Sequence, residues 1–225
     1  MRKWEDLPEF MKCDEVKEYY NILSRKKVSL ILKRGFDLVA GVGVLVVTAI
    51  PMLVIGIKIA TESEGGIFYR QERVTTYGKK FKIHKFRTMV ANADKIGSAV
   101  TVSDDNRITP TGAFLRKYRL DELPQVFDIL SGNMSFVGTR PEVVKYVKKY
   151  KPEYFATLLL PAGITSEASI KYKDEAELLD TAEDVDEIYI TKVLPEKMKY
   201  NLSSIRKFSF LGEIATMIKT VFAVL

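Results

Sequence analysis

The chain has 225 residues and is 47% apolar, enough for one domain with a substantial core, which excludes a disulfide miniprotein, a disordered chain and a multi-domain assembly. Cys13 is the only cysteine and His84 the only histidine, which excludes an intrachain disulfide, a Cys/His zinc cluster and a Ser-His-Asp triad. The net charge of +6 and pI of 9.2 point to an anionic partner: phosphate, nucleic acid or a lipid surface.

Residues 1–30 are polar and charged, and the runs WEDLPEF and KEYYNILSRKK predict a short amphipathic helix or a loose arm. Residues 31–60 form a second unit. Within it Leu38–Ile57 reads LVAGVGVLVVTAIPMLVIGI, twenty residues without a charge, long enough to span a bilayer core. A buried core helix is the competing reading, but such helices rarely stay apolar all round over this length. Pro51 removes a helical hydrogen bond and predicts a kink, with Thr48 placed to satisfy a freed carbonyl. Arg25, Lys26, Lys27, Lys33 and Arg34 precede the segment, and Lys58, Arg70 and Arg73 follow it. Cytoplasmic flanks carry the Lys/Arg excess, so neither end reads as the outer one. A re-entrant helix-break-helix, entering and leaving by one face, resolves the conflict. At its mouth Arg34 and Asp37 have the spacing of a helical ion pair, while Lys33 and Arg34 are alternatively ligands of phosphate head groups.

Residues 61–225 read as a compact cytosolic domain. IFYRQERV, a YGKK turn and FKIHKF alternate as a β-hairpin from Ile67 to Phe86. Eight basic residues, Lys85 and Arg87 among them, and two acidic ones lie between Ile67 and Lys95. Alone this is a solvated surface; beside a membrane anchor it faces lipid phosphates or a nucleotide. His84 receives no role. Short helices are predicted over 88–97 and 111–118, with SDDNRITP as the loop between them. DELPQVFDILSG reads as a helix stopped by Gly132, and PEVVKYVKKY as an amphipathic helix with Val143, Val147 and Tyr150 on one face. Asp174–Glu187 holds eight acids and no base, a solvated face. FSFLGEIATMIKTVFAVL is an apolar helix that completes the core or lies in the membrane interface. The fold class is α/β, mostly helical: a re-entrant membrane helix plus a compact cytosolic domain with a small β-hairpin.

Chemistry concentrates between Arg116 and Gln125. Pro124 belongs in the first turn of a helix, which sets the helix start near Asp121. Asp121 and Glu122 therefore sit where free N–H groups favour anions, and simple capping is a sufficient reading of them alone. Arg116 and Arg119 before the pair, and Gly138-Thr139-Arg140-Pro141 after the helix, change the picture if the segments pack together. Guanidinium forks suit a diphosphate, and a divalent metal on the two carboxylates would offset the remaining charge. No G-x-x-x-x-G-K-[ST] phosphate loop is present.

Several motifs now stand in order: KRGFD before the apolar helix, the proline within it, IFYRQERV, KFKIHKFRTM, DDNRITPTGAFLRK, LDELPQVFDILSGNMSFVGTRPE and PAGIT. From Leu32 to the C-terminus the chain resembles the bacterial sugar transferases of the small monotopic polyprenyl-phosphate phosphoglycosyl transferase class. The resemblance implies transfer of a sugar 1-phosphate from a UDP-sugar to undecaprenyl phosphate, with release of UMP. It places this reaction at the cytoplasmic face of the bacterial inner membrane, as the first membrane step of glycoconjugate synthesis. It implies a re-entrant helix broken at the proline, Asp121 as the nucleophile that forms an acyl-phosphate, and Glu122 in support of the metal or of proton handling. Mg²⁺ is required on this reading, and Arg116 and Arg140 contact phosphate and nucleotide. Two positions depart from the family pattern: Thr139 replaces a proline and Ser166 a glycine, which bears on sugar and nucleotide preference.

Three other functions compete. A glycosyl transferase would move the sugar alone and release UDP. A membrane-anchored binding protein would use Asp121 and Glu122 only as a helix cap. A basic nucleic-acid binder is the third, and the apolar segment argues against it. Pairing of the soluble part into a homodimer is compatible with any of these.

Overall fold

The computed structural model describes residues 1–91, 93, 105–172 and 184–224. Two 3-10 turns, Trp4–Asp6 and Glu9–Met11, lead into helix α1 (Asp14–Ser24). The start of the chain is thus folded and is no loose arm. Val16, Tyr19 and Leu23 line one face of α1 at helical spacing and, with Leu7 and Met11, are buried against Ala156, Leu158, Met198 and Leu202.

Helix α2 (Lys27–Glu62) is 36 residues long, about 54 Å at the ordinary helical rise. Its helical course continues through Pro51, so a change of direction there is a bend within one helix. Thr48 Oγ1 donates to Val44 O at 2.7 Å and so does not serve the Val47 carbonyl that the proline frees. It is a helix long and apolar enough to cross a membrane. Its first turns are inverted: Lys33, Asp37 and Gly41, four apart on one face, are buried, while Val39, Val46, Val47 and Ile50 are exposed.

Both ends of α2 are fastened to the same folded body. Near the start, Arg34 donates to Ile129 O and Leu130 O at 2.7 and 3.0 Å. Asp37 Oδ1 accepts from Ser135 Oγ at 3.0 Å and from the Phe136 N–H at 3.2 Å. The anticipated Arg34–Asp37 pair is therefore replaced by two tertiary anchors. At the far end Glu62 Oε1 accepts from the Thr111 N–H at 3.0 Å, and Ile59 packs with Phe86, Leu115 and Val126.

The hairpin is antiparallel, β1 (Phe68–Val74) against β2 (Lys80–Phe86), with Arg70 opposite His84 and Tyr69 opposite Lys85. Its turn uses positive φ at Tyr77 and Gly78, 58° and 76°. Met89 bridges Ile108, so residues 88–91 are not the expected helix; of the rest of 88–97 only 93 is among the described residues. Helix α3 (Pro110–Lys117) is capped by Thr109 Oγ1, which accepts from the Gly112 N–H at 3.0 Å. A 3-10 turn, Leu120–Gln125, continues into α4 (Val126–Leu130), which Gly132 ends with φ 80°.

Strands β3 (Met134–Val137) and β4 (Ala162–Thr165) pair in parallel, Met134 opposite Ala162 and Val137 opposite Thr165. Between them lie the single-turn helix α5 (Val144–Val147) and a 3-10 segment, Pro152–Leu159. Val143, Val147 and Tyr150 face the large cluster as their spacing predicts. The last elements are α6 (Glu167–Lys171), α7 (Val185–Ile188), a π turn (Tyr189–Val193), α8 (Leu194–Arg206) and α9 (Phe210–Val224). Most of the acidic run lies outside the described residues; Asp184 caps α7, and Asp186 accepts from Lys145 and from Tyr146 Oη at 2.7 and 2.6 Å.

Helix α9 is inverted like the start of α2. Glu213 pairs with Lys33, Thr220 Oγ1 meets Thr165 Oγ1 at 2.7 Å, and Lys219 donates to Glu167 at 2.8 Å. Leu211, Ile218, Val221 and Phe222 point outward. Phe36 of α2 stacks edge-on against Phe210 at 6.0 Å, so the two apolar faces begin side by side.

Candidate active site

Arg119 takes φ 53°, a left-handed residue that reverses the chain between α3 and the following 3-10 turn. That reversal brings Arg116, in the last turn of α3, back toward Asp121 and Glu122 in the next turn. Leu120 and Leu123 pack with Leu115, Val126 and Phe86, which holds the turn against the end of β2. β2 in turn delivers Lys85 from beneath. The two carboxylates are largely covered, with side chains 14% and 11% exposed for Asp121 and Glu122.

Glu122 is the hub. Its Oε1 accepts from Lys85 Nζ at 2.6 Å and from Arg140 Nη2 at 2.5 Å, with Arg140 Nη1 3.4 Å from Oε2. Asp121 Oδ2 lies 3.9 Å from Lys85 Nζ. Burial works to raise the Glu122 carboxyl, but Arg140 and Lys85 outweigh it and hold it well below the usual carboxylate range. For Asp121 burial wins over Lys85, Arg116 and Arg140, and its carboxyl lies above the ordinary value. Burial also lowers Lys85 and Arg116 from their ordinary values, with Glu122 and Asp121 respectively opposing. Arg116 Nε donates to Thr88 Oγ1 at 2.9 Å, which aims its guanidinium.

Asp121, Glu122, Lys85, Arg116 and Arg140 are thus brought together. Arg87, Lys33 and Arg34 are not. Arg87 is buried at the end of α2, where it donates to Ser63 O at 2.7 Å and to Ile59 O at 3.3 Å. Lys33 donates to Val137 O at 2.7 Å and pairs with Glu213; Arg34 is spent on the carbonyl groups at the end of α4. His84, which has no role in the sequence reading, pairs its Nδ1 with Asp128 Oδ1 at 2.8 Å, while its N–H donates to Asp128 Oδ2 at 2.8 Å. Sequence alone missed Asp128, and its lone-acid position inside an apolar helix (VFDIL) is the signal that could have found it.

Gly138 and Gly163 let the strand after β3 cross β4 closely: Gly163 N–H donates to Thr139 O at 2.9 Å, and a Cβ on Gly138 would stand 2.6 Å from Pro161 O. Thr139 and Ser166, the two departures from the family pattern, line one cavity of about 510 Å³ with Asn201, Ser204 and Thr216.

Asp121 and Glu122 are the residues that could hold a divalent metal. No group of three or more metal-ligating side chains occurs among the described residues. Two hard oxygen donors fit Mg²⁺ when phosphate oxygens and water complete the octahedron.

The sequence pattern of the bacterial sugar transferases matches residues 28–225. A "UDP-N-acetylgalactosamine-undecaprenyl-phosphate N-acetylgalactosaminephosphotransferase" of Aeromonas hydrophila is 30% identical over 197 residues, 86% of this chain and 44% of that protein. A "putative undecaprenyl-phosphate N-acetylgalactosaminyl 1-phosphate transferase" of Bacillus subtilis is 42% identical over 126 residues, 55% of this chain and 69% of that protein. A "UDP-glucose:undecaprenyl-phosphate glucose-1-phosphate transferase" of Escherichia coli K12 is 32% identical over 200 residues, 87% and 40%. The chain thus spans less than half the length of the Aeromonas and Escherichia relatives. By the match over nearly its whole length, the chain belongs to the bacterial sugar transferase family.

Proposed function

We propose that this protein is a phosphoglycosyl transferase that moves a sugar 1-phosphate from a UDP-sugar to undecaprenyl phosphate and releases UMP. The observation that carries the reading is the convergence of two unequal carboxylates and three cations at one turn, beside a long apolar helix. The names of the relatives, which pair undecaprenyl phosphate with sugar phosphates, support it.

An ionised carboxylate needs no base to act as a nucleophile, which suits a chain with one histidine, engaged elsewhere. An Asp121 oxygen attacks the phosphorus that carries the sugar, and the bond from that phosphorus to the bridging oxygen of UMP breaks. UMP departs with that oxygen, leaving an aspartyl phosphosugar. An oxygen of undecaprenyl phosphate then attacks the same phosphorus, the aspartyl oxygen leaves, and the carboxylate is regenerated. Arg116, Arg140 and Lys85 offset charge on the phosphoryl oxygens throughout. Glu122 holds Lys85 and Arg140 in place. A Mg²⁺ ion held by Asp121 and Glu122 would add a further positive charge against the diphosphate.

The same geometry supports a membrane arrangement. Both ends of α2 are tied to one body, which favours a re-entrant course that returns to the side it entered from. The outward apolar face of α9 beside it suits a helix lying in the interface. The basic flanks support a cytoplasmic position for this side, at the inner membrane, where a first step of glycoconjugate synthesis would start.

The test is to incubate detergent-purified protein with undecaprenyl phosphate, Mg²⁺ and a UDP-sugar panel, and to measure UMP and UDP separately. Lipid-dependent UMP and a covalent adduct by intact mass, both absent in Asp121→Asn, support the reading. UDP in place of UMP, or no product from any donor, overturns it.

A further inference from the structure

The cavity of about 510 Å³ lies between α8, α9 and the ends of β3 and β4, and the reaction as derived does not use it. Its size is that of a small-ligand pocket, commonly about 300–1,000 Å³. Its wall holds a polar group that folding leaves over. Asn201 is 5% exposed, its Nδ2 has the Met198 sulfur at 4.0 Å, and its Oδ1 has no hydrogen-bond partner among the described residues. Buried side-chain amides are ordinarily paired, so an orphaned one on a cavity wall marks a place for a ligand.

Three hydroxyls on the same wall offer the same chemistry. Ser204 Oγ donates to Tyr200 O at 3.0 Å, Thr157 Oγ1 to Tyr154 O at 2.7 Å, and Thr216 Oγ1 to Gly212 O at 3.1 Å. Each proton is spent on a backbone carbonyl, so what each oxygen offers the cavity is a lone pair. The charges on the wall balance among the described residues, Glu167 and Glu213 against Lys207 and Lys219. Glu213 is moreover paired with Lys33, and Glu167 with Lys219. A wall of acceptors without excess positive charge suits a neutral ligand rich in O–H or N–H donors. A phosphate group, an acceptor throughout, does not fit it. Tyr200 and Phe208 add aromatic surface for the C–H face of a ring.

The cavity also adjoins the reaction. Gly138 and Thr139 line it, and Arg140, the next residue, closes on Glu122 at 2.5 Å. One short loop therefore has the cations for a diphosphate on one side and the acceptor-lined cavity on the other. We propose that the cavity receives the sugar ring of the UDP-sugar, with Asn201 Oδ1 and Thr216 Oγ1 accepting from its hydroxyl or acetamido groups. This rests on the phosphoglycosyl transferase reading for the identity of the donor. Thr139 and Ser166 stand on the same wall, so the two departures from the family pattern fall where the substituents of a sugar would be told apart.

The experiment measures equilibrium binding of UDP, UDP-glucose and UDP-N-acetylgalactosamine to the detergent-purified full chain carrying Asp121→Asn, which forms no adduct on the proposed mechanism. Asn201→Leu, which keeps the bulk and removes the amide, and Thr216→Val, which keeps the shape and removes the hydroxyl, are added one at a time. For whichever UDP-sugar binds tighter, the expected loss is about 10-fold with Asn201→Leu and about 3-fold with Thr216→Val, against less than about 2-fold for UDP. Equal losses for UDP and the UDP-sugar, or no loss for either, overturn the proposal. So does a parent chain that binds no UDP-sugar. A loss seen with a methyl hexoside and not with the UDP-sugar gives the cavity to a free saccharide and overturns it too. Thermal melting identifies a variant that fails to fold, and the other variant then decides. The reaction is tested separately, by UMP release from the unsubstituted chain. UDP in place of UMP overturns the phosphoglycosyl transferase reading and leaves a sugar-selective loss standing.

Discussion

Lys85 Nζ stands 2.6 Å from Glu122 Oε1 and 3.9 Å from Asp121 Oδ2, so two neighbouring carboxylates share one cation unequally. Arg140 widens the difference by closing on Glu122 at 2.5 Å. Glu122 Oε1 is taken by its two cations, and Asp121 keeps an oxygen for a substrate. Burial raises both carboxyls, but the hydrogen-bonded Arg140 and Lys85 pull Glu122 far down, which leaves Asp121 the more basic of the pair. On the proposed mechanism this geometry suits Asp121 to the nucleophile's role. Asp121→Asn is expected to lower UMP release by about 10³-fold or more, and to yield no adduct. Glu122→Gln, which loosens Lys85 and Arg140 but leaves the nucleophile, should cost about 10- to 100-fold and still accumulate adduct. Intact mass of each variant after incubation with a UDP-sugar separates the two roles; adduct on Asp121→Asn would reassign the nucleophile.

The pH dependence follows from the same contacts. On the proposed mechanism Asp121 must be ionised to attack, so kcat/KM falls on the acid side as its carboxyl takes up a proton. Burial raises that carboxyl above the usual range, and Lys85 is the strongest influence pulling it back. Removing Lys85 destabilises the ionised form, which raises the Asp121 value further. Lys85→Met should therefore move the acid limb of kcat/KM to higher pH, apart from any fall in the plateau. A limb that stays in place or moves to lower pH would show that another group controls it.

Much of this site was legible from local pattern. Alternation around YGKK gave the hairpin, and Pro124 placed the helix start within one residue of its observed position. The convergence of Arg116, Arg140 and the Asp-Glu pair could be anticipated as a composition. The partners of Lys33, Arg34 and Arg87 could not. A guanidinium is drawn as well by the carbonyl end of a helix as by a phosphate, and only the tertiary fold says which is nearby. Arg34 meets the end of α4 and Arg87 the end of α2, across about a hundred and about two dozen residues respectively. For the first thirty residues the pattern allowed a short amphipathic helix or a loose arm, and the tertiary fold decides for the helix. Leu7, Met11, Val16, Tyr19 and Leu23 are sparse within a charged run, yet all face one cluster. Strands β3 and β4 are four residues each, too short for alternation to register.

Asp128 offers a test of how the hairpin is held to the site. Its side chain is fully buried, and both oxygens are spent on His84, one on the N–H and one on Nδ1. His84 precedes Lys85, so this contact sets the height of β2 under Glu122. Asp128→Ala leaves a buried donor without an acceptor, and the expected cost is roughly 2–4 kcal/mol. Asp128→Asn keeps one acceptor oxygen and should cost about half as much. Thermal unfolding in detergent measures both, and equal melting of Asp128→Ala and wild type would place His84 outside this contact.

The crossing of Gly138 over Gly163 is the tightest approach in the neighbourhood of Arg140. A Cβ added to Gly163 would meet Gly138 N at 2.1 Å and Gly138 O at 2.4 Å, backbone atoms that cannot swing aside as a side-chain tip would. To admit it, β3 and β4 must part, and the Gly163–Thr139 hydrogen bond at 2.9 Å goes with them. Arg140 follows directly on Thr139, so the displacement reaches the guanidinium at Glu122. Gly163→Ala should therefore lose a few kcal/mol of stability and, in what remains folded, most of the turnover. Gly43→Ala is the matched control. It lies in α2 with nothing within 4 Å of the added methyl, and alanine is the better helix former by about 1 kcal/mol. Melting of the two variants beside wild type should bracket it, Gly163→Ala below and Gly43→Ala level or above. If Gly163→Ala melts with wild type, the two strands do not cross at these glycines, and the loop that carries Arg140 must be anchored from elsewhere.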